Sequence, residues 1–302
     1  MKPRNFNTID IDLEREVVRK SSTKIDKLEG EILFYVNSPD QIKKLMPRLY
    51  RYSENFSWYE MEYLDLLPLT ELVNSKELSA KDWAQIFFSI NEVYCKFNET
   101  GQKTDYATLY RLFIKKALDR IYEIENKELK NIFFEGCILN GKKHRSLGSL
   151  LIENSGVLFK TPPEIAVLHG DFCFSNIMIS KDLQTIKLID PRGGFDGPSI
   201  YGPRAYDIAK LCQSSYSWYD KIIEGYYELT RSDSGYGLRV IGHDWSTRSQ
   251  SAFNQMLETF GLTKYDAKRL AGLMIAGTPA LHLDDQNRAV AFALNAVLLL
   301  SG

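Results

Sequence analysis

Residues 165–190 read Ile165-Ala166-Val167-Leu168-His169-Gly170-Asp171-Phe172-Cys173-Phe174-Ser175-Asn176-Ile177-Met178-Ile179-Ser180-Lys181-Asp182-Leu183-Gln184-Thr185-Ile186-Lys187-Leu188-Ile189-Asp190, and they decide the fold. An apolar run feeds into His-Gly-Asp, and Asn176 stands at the fifth position after Asp171. Two short alternating segments follow, Asn176 to Ser180 and Thr185 to Ile189, a hairpin turned at Lys181 to Gln184. Its second strand delivers Asp190 beside the first. Three oxygen-bearing side chains thus meet at one end of a small sheet. Asp171 is suited to accept a proton, while Asn176 and Asp190 are suited to hold a hard divalent cation, such as magnesium, through oxygen. The plainer reading is a β-hairpin with polar turn residues, and a lone His-Gly-Asp would leave that reading ahead.

The order and spacing match the H-R-D-L-x-x-x-N loop of protein kinases and the Asp of their D-F-G. Gly170 replaces the Arg, and Asp190-Pro191-Arg192-Gly193 replaces D-F-G. That variant resembles the aminoglycoside phosphotransferase and choline kinase family of small-molecule kinases. The segment Gly202-Pro203-Arg204-Ala205-Tyr206-Asp207-Ile208-Ala209-Lys210-Leu211 extends the likeness, although the first Asp of the family's G-D-P-x-x-D-L-A pattern is absent. The resemblance is specific over Ala166 to Leu211 and suggestive over Val17 to Leu64. It implies an α+β, two-lobed, protein-kinase-like fold, with a small N-terminal lobe over residues 1–64 and a larger, mainly helical lobe over 65–302. It also implies ATP or GTP as phosphoryl donor, Mg2+, and a hydroxyl of a small metabolite (a sugar, polyol, amino alcohol or aminoglycoside) as acceptor. Arg-Gly-Gly-Phe after Pro191 looks most like family members of bacterial surface-sugar pathways.

Carried onto this sequence, the resemblance makes Asp171 the catalytic base and Asn176 and Asp190 the metal ligands. His169 and Asp207 become structural braces of the loop. Asp207 also reads, by position, as the N-cap of a helix from Ile208 to Tyr219. Arg192 reads as a contact for an anionic acceptor or as a partner of a nearby acid.

A kinase-like small lobe needs a strand lysine for the nucleotide phosphates and a glutamate on the next helix to hold it. Phe6 to Lys20 reads as a hairpin turned at Glu14-Arg15, and Lys20 ends its second strand. A helix from about Lys24 to Asn37 follows, with cap candidates Ser21, Ser22 and Thr23. Its apolar face is read as Ile25, Leu28, Ile32, Tyr35 and Val36. Glu31 fits the family pattern as partner of Lys20, and Glu29 is its rival by wheel geometry. Trp58 to Leu64 reads as a strand and hinge, where the family binds adenine through backbone groups, here near Glu62 and Leu64. Only 19 residues precede Lys20 and none is Gly, so there is no room for a G-x-G-x-x-G loop. The small lobe is expected to be reduced, or the chain to be part of a longer protein. The rival function is therefore a catalytically weak or inactive nucleotide-binding module within a surface-sugar system.

Composition adds bounds. A net charge of −1 leaves no electrostatic footprint for nucleic acid. Cys95, Cys137, Cys173 and Cys212 form no C-x-x-C pair and the four His are scattered, so neither a disulfide framework nor a zinc site is expected. Ala289 to Leu300 is too short to span a bilayer, and the chain reads as cytoplasmic. Further helices are expected over Lys81–Asn98, Tyr106–Lys127, Ser251–Phe260, Lys264–Ala276 and from about Arg288. Asn140–Leu147 reads as a loop and Ser232–Gln250 as a mobile connector. Gly193, Gly194, Gly197, Pro198, Gly202 and Pro203 give the chain after Asp190 a loop character. The break at Gly277 to Asp285 makes His282 and Asp284 acceptor-site candidates.

Overall fold

The structure, a computed structural model, describes residues 7–75, 78–97, 99–193, 199–241 and 244–302. Phe6, Asn98, Gly194, Gly197 and Pro198, named above, lie outside them. The chain forms two compact units, Met1–Lys103 with Glu164–Asp207, and Thr104–Pro163 with Ile208–Gly302.

The first unit begins with a four-stranded antiparallel sheet. Strands β1 (Asn7–Asp12) and β2 (Val17–Ser22) form the expected hairpin, pairing Ile9 with Lys20 and Ile11 with Val18. Helix α1 (Ile25–Asn37) follows, then β3 (Leu49–Tyr52) and β4 (Trp58–Glu62), and the strands lie in the order β1-β2-β4-β3. Period-two alternation sends Lys20 and Tyr59 to the packed face and Arg19 and Glu60 to the other. Helix α1 buries Leu28, Glu31, Ile32, Phe34 and Tyr35. Ile25 and Val36 are exposed, so the apolar stripe is rotated from the expected one and runs through Phe34 and the carboxylate of Glu31. No side chain caps α1; Ser22 Oγ instead accepts from Lys24 N–H.

The rest of this unit positions the motif. Helix Ala80–Cys95, closed by a Ser79/Asp82 capping box, packs Trp83 and Phe87 against Phe174 at ring separations of 6.2 and 6.1 Å. Tyr94 stacks on Phe172. Strand Glu164–Val167 leads into the motif, and Ile177–Ile179 pairs with Ile186–Leu188 as the expected hairpin. Its turn closes through Leu183 at φ 64°.

The second unit is mainly helical. Lys264–Ala276 packs against the apolar Gln286–Ser301, where eleven side chains are buried. Tyr106–Tyr122 is one helical run with a π-helical segment at Arg111–Lys115, and it stops before Lys127. Two expected loops are structured. Asn140–Leu147 holds the turn and second strand of the hairpin Cys137–Leu139/Lys142–His144, turned by Asn140-Gly141 with φ 50° and 76°, the left-handed pair that a two-residue hairpin turn needs. Ser232–Gln250 holds the second strand of the hairpin Tyr227–Ser232/Gly235–Val240 and the start of helix Asp244–Glu258. The two hairpins join as one four-stranded sheet. Among the described residues no helix is long and apolar enough to cross a membrane.

Candidate active site

Lys20 is a fully buried charge of the first unit, and the structure resolves its partner. Its Nζ donates to Glu31 Oε2 at 2.7 Å and to Asp190 Oδ1 at 2.8 Å. Glu31, not the half-buried Glu29, is therefore the helix glutamate that meets the lysine. Tyr59 Oη donates to the same Glu31 oxygen at 3.1 Å, and Lys27 Nζ lies 3.4 Å from the other. Tyr59 and Lys27 were not legible as site residues; an aromatic in a strand and a lysine one helical turn before a glutamate are both commonplace. Burial disfavours the Lys20 ammonium, but Asp190 and Glu31 outweigh it and the net shift is upward. Burial pushes the Glu31 carboxyl up as well, against the pull of Lys20, with Asp190 adding to the rise. A lysine shared by two carboxylates stays an ammonium at neutral pH.

The backbone around His169-Gly170-Asp171 is held by a second network. The Asp207 carboxylate accepts from His169 N–H and Gly170 N–H, both at 2.8 Å. Asp207 is the third residue of helix Ala205–Tyr216, so it braces the loop and is not the helix N-cap. His169 Nδ1 accepts from Asp171 N–H at 3.3 Å, so Nε2 carries the hydrogen it gives to Ile189 O at 3.1 Å. The ring thereby ties the strand end before Asp190 to the loop that carries Asp171. His169 O accepts from both Arg192 N–H (2.6 Å) and Gly193 N–H (3.1 Å). That clasp explains Gly170. At φ 77°, a Cβ there would stand 2.7 Å from Gly193 O and 3.0 Å from Arg192 Cβ, so no larger residue fits.

Asp171 is half-buried, and its carbonyl accepts from Asn176 Nδ2 at 2.9 Å. Because the amide nitrogen is engaged, Asn176 Oδ1 is the atom left for a cation. Asn176 O accepts from Ile189 N–H at 3.0 Å, which brings the asparagine beside the residue preceding Asp190. Asp190 itself has φ 56°, a left-handed conformation that Asp tolerates better than most residues, and its side chain is 34% exposed. Oxygen donors with one carboxylate open to solvent suit magnesium. Among the described residues no three His, Cys, Asp or Glu gather into a metal cage, and magnesium bound largely through phosphate and water needs none.

The remaining candidates are more dispersed. Glu62 ends β4, where its N–H donates to Arg48 O and its Oε2 accepts from Arg48 N–H; Leu64 follows it and is half-buried. Arg192 is exposed. In the second unit, the His282 ring packs on Tyr219 and Phe292, and Asp284 accepts from Arg288 Nη2 at 2.6 Å.

No protein-family model and no curated protein matches the chain. Solved structures do. A choline/ethanolamine kinase family protein from Mesorhizobium loti aligns with a TM-score of 0.58 at 9% identity, over 99% of this chain and 87% of that one. A thermostable mutant of an aminoglycoside phosphotransferase, in ternary complex with ADP and hygromycin B, gives 0.58 at 11% identity over 100% and 92%. A glucosamine kinase in complex with glucosamine, ADP and inorganic phosphate gives 0.58 at 12% over 98% and 79%. What the chain shares with them is the fold: a smaller sheet-and-helix N-terminal lobe and a larger helical C-terminal lobe, the two-lobed α+β architecture of the small-molecule kinases.

Proposed function

We propose that this protein is a cytoplasmic phosphotransferase that moves the γ-phosphoryl group of ATP, with GTP as the alternative donor, to a hydroxyl of a small metabolite. The observation that carries the reading is the buried Lys20, bonded at once to Glu31 and to Asp190. A cation so expensive to bury is retained for a charge it must meet, and two carboxylates hold it in place. The amine-bearing acceptors and the ADP named for the solved relatives belong to those proteins; here they support a nucleotide and a hydroxyl acceptor as classes.

In this reading residues 1–64 form the nucleotide lobe, ending in the Glu62–Leu64 hinge that takes the base, and residues 65–302 carry the catalytic and acceptor side. Lys20 sets its positive charge on the α/β-phosphates, and Glu31 fixes its direction. A magnesium ion at Asn176 Oδ1 and Asp190 would neutralise phosphate charge. Asp171 orients the acceptor hydroxyl and takes its proton as the new O–P bond forms and the bond to the leaving ADP oxygen breaks. His169 and Asp207 touch no reactant; they hold the backbone that aims Asp171 and Asp190. Alignment and charge neutralisation carry most of the rate for a loose transition state.

Release of ADP, with Mg·ATP and a panel of sugars, polyols, amino alcohols and aminoglycosides, tests the reading. Asp171→Asn should lower acceptor-dependent turnover on the order of 10²- to 10⁴-fold while nucleotide binding, followed calorimetrically, survives. Nucleotide binding without turnover on any acceptor would instead make the chain a binding module.

A further inference from the structure

We infer that Lys20 guards the proposed metal site: its ammonium competes with the divalent cation for the Asp190 carboxylate, and the cation binds tightly once phosphates draw the ammonium away. This rests on the nucleotide and metal of the proposed function, but not on turnover. Lys20 Nζ donates to Asp190 Oδ1 at 2.8 Å, and among the described residues no other cation bonds that carboxylate. The backbone on either side of Asp190 is fixed. Ile189 N–H donates to Asn176 O and Ile189 O accepts from His169 Nε2, while Arg192 N–H and Gly193 N–H both donate to His169 O. The partly exposed Asp190 carboxylate therefore turns away from Lys20 by rotation of its own side chain.

The lysine has less freedom. Its side chain and that of Glu31 are both buried, and Tyr59 Oη donates to the same Glu31 oxygen that Lys20 uses. The ammonium thus has no route into water when a cation approaches Asp190. A dication on that carboxylate would face it with little solvent between them to screen the repulsion. Nucleotide phosphates resolve the conflict. They offer Lys20 a new anionic partner, which frees Asp190, and the cation held by Asp190 offsets the charge of the phosphates in turn. Each ligand completes the exchange that the other needs. By reciprocity the two affinities rise by one factor, on the order of 5- to 150-fold for a typical coupling.

The test measures Mn2+ alone, added as manganese chloride and followed by electron paramagnetic resonance, on the full chain without nucleotide. In Lys20→Met with Glu31→Leu the competitor is gone, and Mn2+ should bind about 5- to 150-fold more tightly than to the wild type. That variant loses one charge of each sign, so net charge does not account for a gain, and Lys27 and Asp171 are the same in both proteins. Adding Asp190→Asn should abolish the gain. Circular dichroism checks folding; should the apolar pair not fold, Lys20→Gln with Glu31→Gln puts the same question with the same balanced loss of charge. Mn2+ binding no tighter than wild type in a folded paired variant, or a gain that survives Asp190→Asn, overturns the inference and leaves the phosphotransferase reading standing. A wild-type chain that binds no Mg·ATP would instead count against that reading, while a gain at Asp190 would still uphold the competition for its carboxylate.

Discussion

The four-stranded sheet carries an ion network on each face, built from adjacent residues of the same two strands. On the inner face Lys20 of β2 meets Glu31 and Asp190, with Tyr59 of β4 donating to the same glutamate. On the outer face Arg19 of β2 lies 3.6 Å from Glu60 of β4, Arg51 of β3 bonds that glutamate through two nitrogens at 2.6 and 2.9 Å, and Arg19 stacks over Trp58 at 4.0 Å. Geometry alone would rank the bidentate outer pair higher. Solvent reverses the ranking. The outer arginines are 41% and 58% exposed, around a Glu60 side chain that is itself only 6% exposed, while in the inner network both Lys20 and Glu31 are sealed, at 2% and 1%. A wet network costs little to keep and contributes little; a dry one is costly to assemble and costly to break. The inner network is therefore where selection for chemistry, not for stability, is to be sought.

The largest expected effect follows from breaking that dry network on one side. Glu31→Ala leaves the buried Lys20 short of a carboxylate and Tyr59 without its acceptor, and should lower unfolding free energy by about 3–5 kcal/mol in urea denaturation. Replacing the pair by apolar residues, Lys20→Met with Glu31→Leu, should recover most of that loss, because no buried ion is left alone: Asp190, 34% exposed, turns to solvent, and only Tyr59 Oη stays buried without its acceptor. Binding of Mg·ATP should be lost in that double variant. Should it prove as unstable as Glu31→Ala, the pair is architectural and the contrast between the faces fails.

Acid titration separates the two glutamates by sign. Burial raises Glu31 above the ordinary value of 4.5, whereas the Arg51 hydrogen bond is the main cause that lowers Glu60 below it. Between 4.5 and its raised value the folded chain holds more protons at Glu31 than the unfolded chain, so this contribution to stability falls as pH rises through that window. Glu60 behaves oppositely. Its contribution is present above 4.5 and is lost as pH falls through its lowered folded value. Lys20, raised from 10.5, contributes fully below that pH and loses its contribution only as pH climbs through the folded value. Carboxyl NMR titrations should place Glu31 above and Glu60 below 4.5, and Glu60→Gln should flatten the acid limb of stability where Glu31→Gln removes a slope of the other sign. Both glutamates titrating on one side of 4.5 would erase the distinction.

Which of these features the sequence discloses depends on the range over which they are built. The hairpin carrying Asn176 and Asp190 is legible because its strands, its turn and its candidate site residues lie within one short stretch. Lys20 and Asp190 are 170 positions apart, and only tertiary folding reveals that the lysine serves both Glu31 and Asp190. Helix α1 misleads for a different reason: a buried ion pair puts Glu31 on the packed face, and a wheel that counts only apolar residues turns toward Ile25 and Val36 instead. The two hairpins of the second unit carry their signals in plain view, Asn140-Gly141 and the alternation leading to Gly235. The basic and polar residues around them read as loop when weighed by composition. Asp207 shows the converse, a residue whose partners at His169 and Gly170 follow the family resemblance while its local reading as a cap fails by a turn of helix.

The smallest effect is the most exacting for the comparison, because it concerns the better hydrogen-bond geometry. Arg51→Ala removes both bonds to Glu60, yet Arg19 remains within 3.6 Å of that carboxylate and water reaches the vacated side. The carboxylate is therefore not stranded as Glu31's lysine would be. The loss should be about 0.2–1 kcal/mol in urea denaturation at low salt and should shrink as ionic strength rises, since exposed charges are screened. Nucleotide binding, which the proposed function assigns to the opposite face, should not move. A cost of several kcal/mol, or one insensitive to salt, would mean that the outer network is as dry as the inner one, and burial would no longer explain why only one of them points to a site.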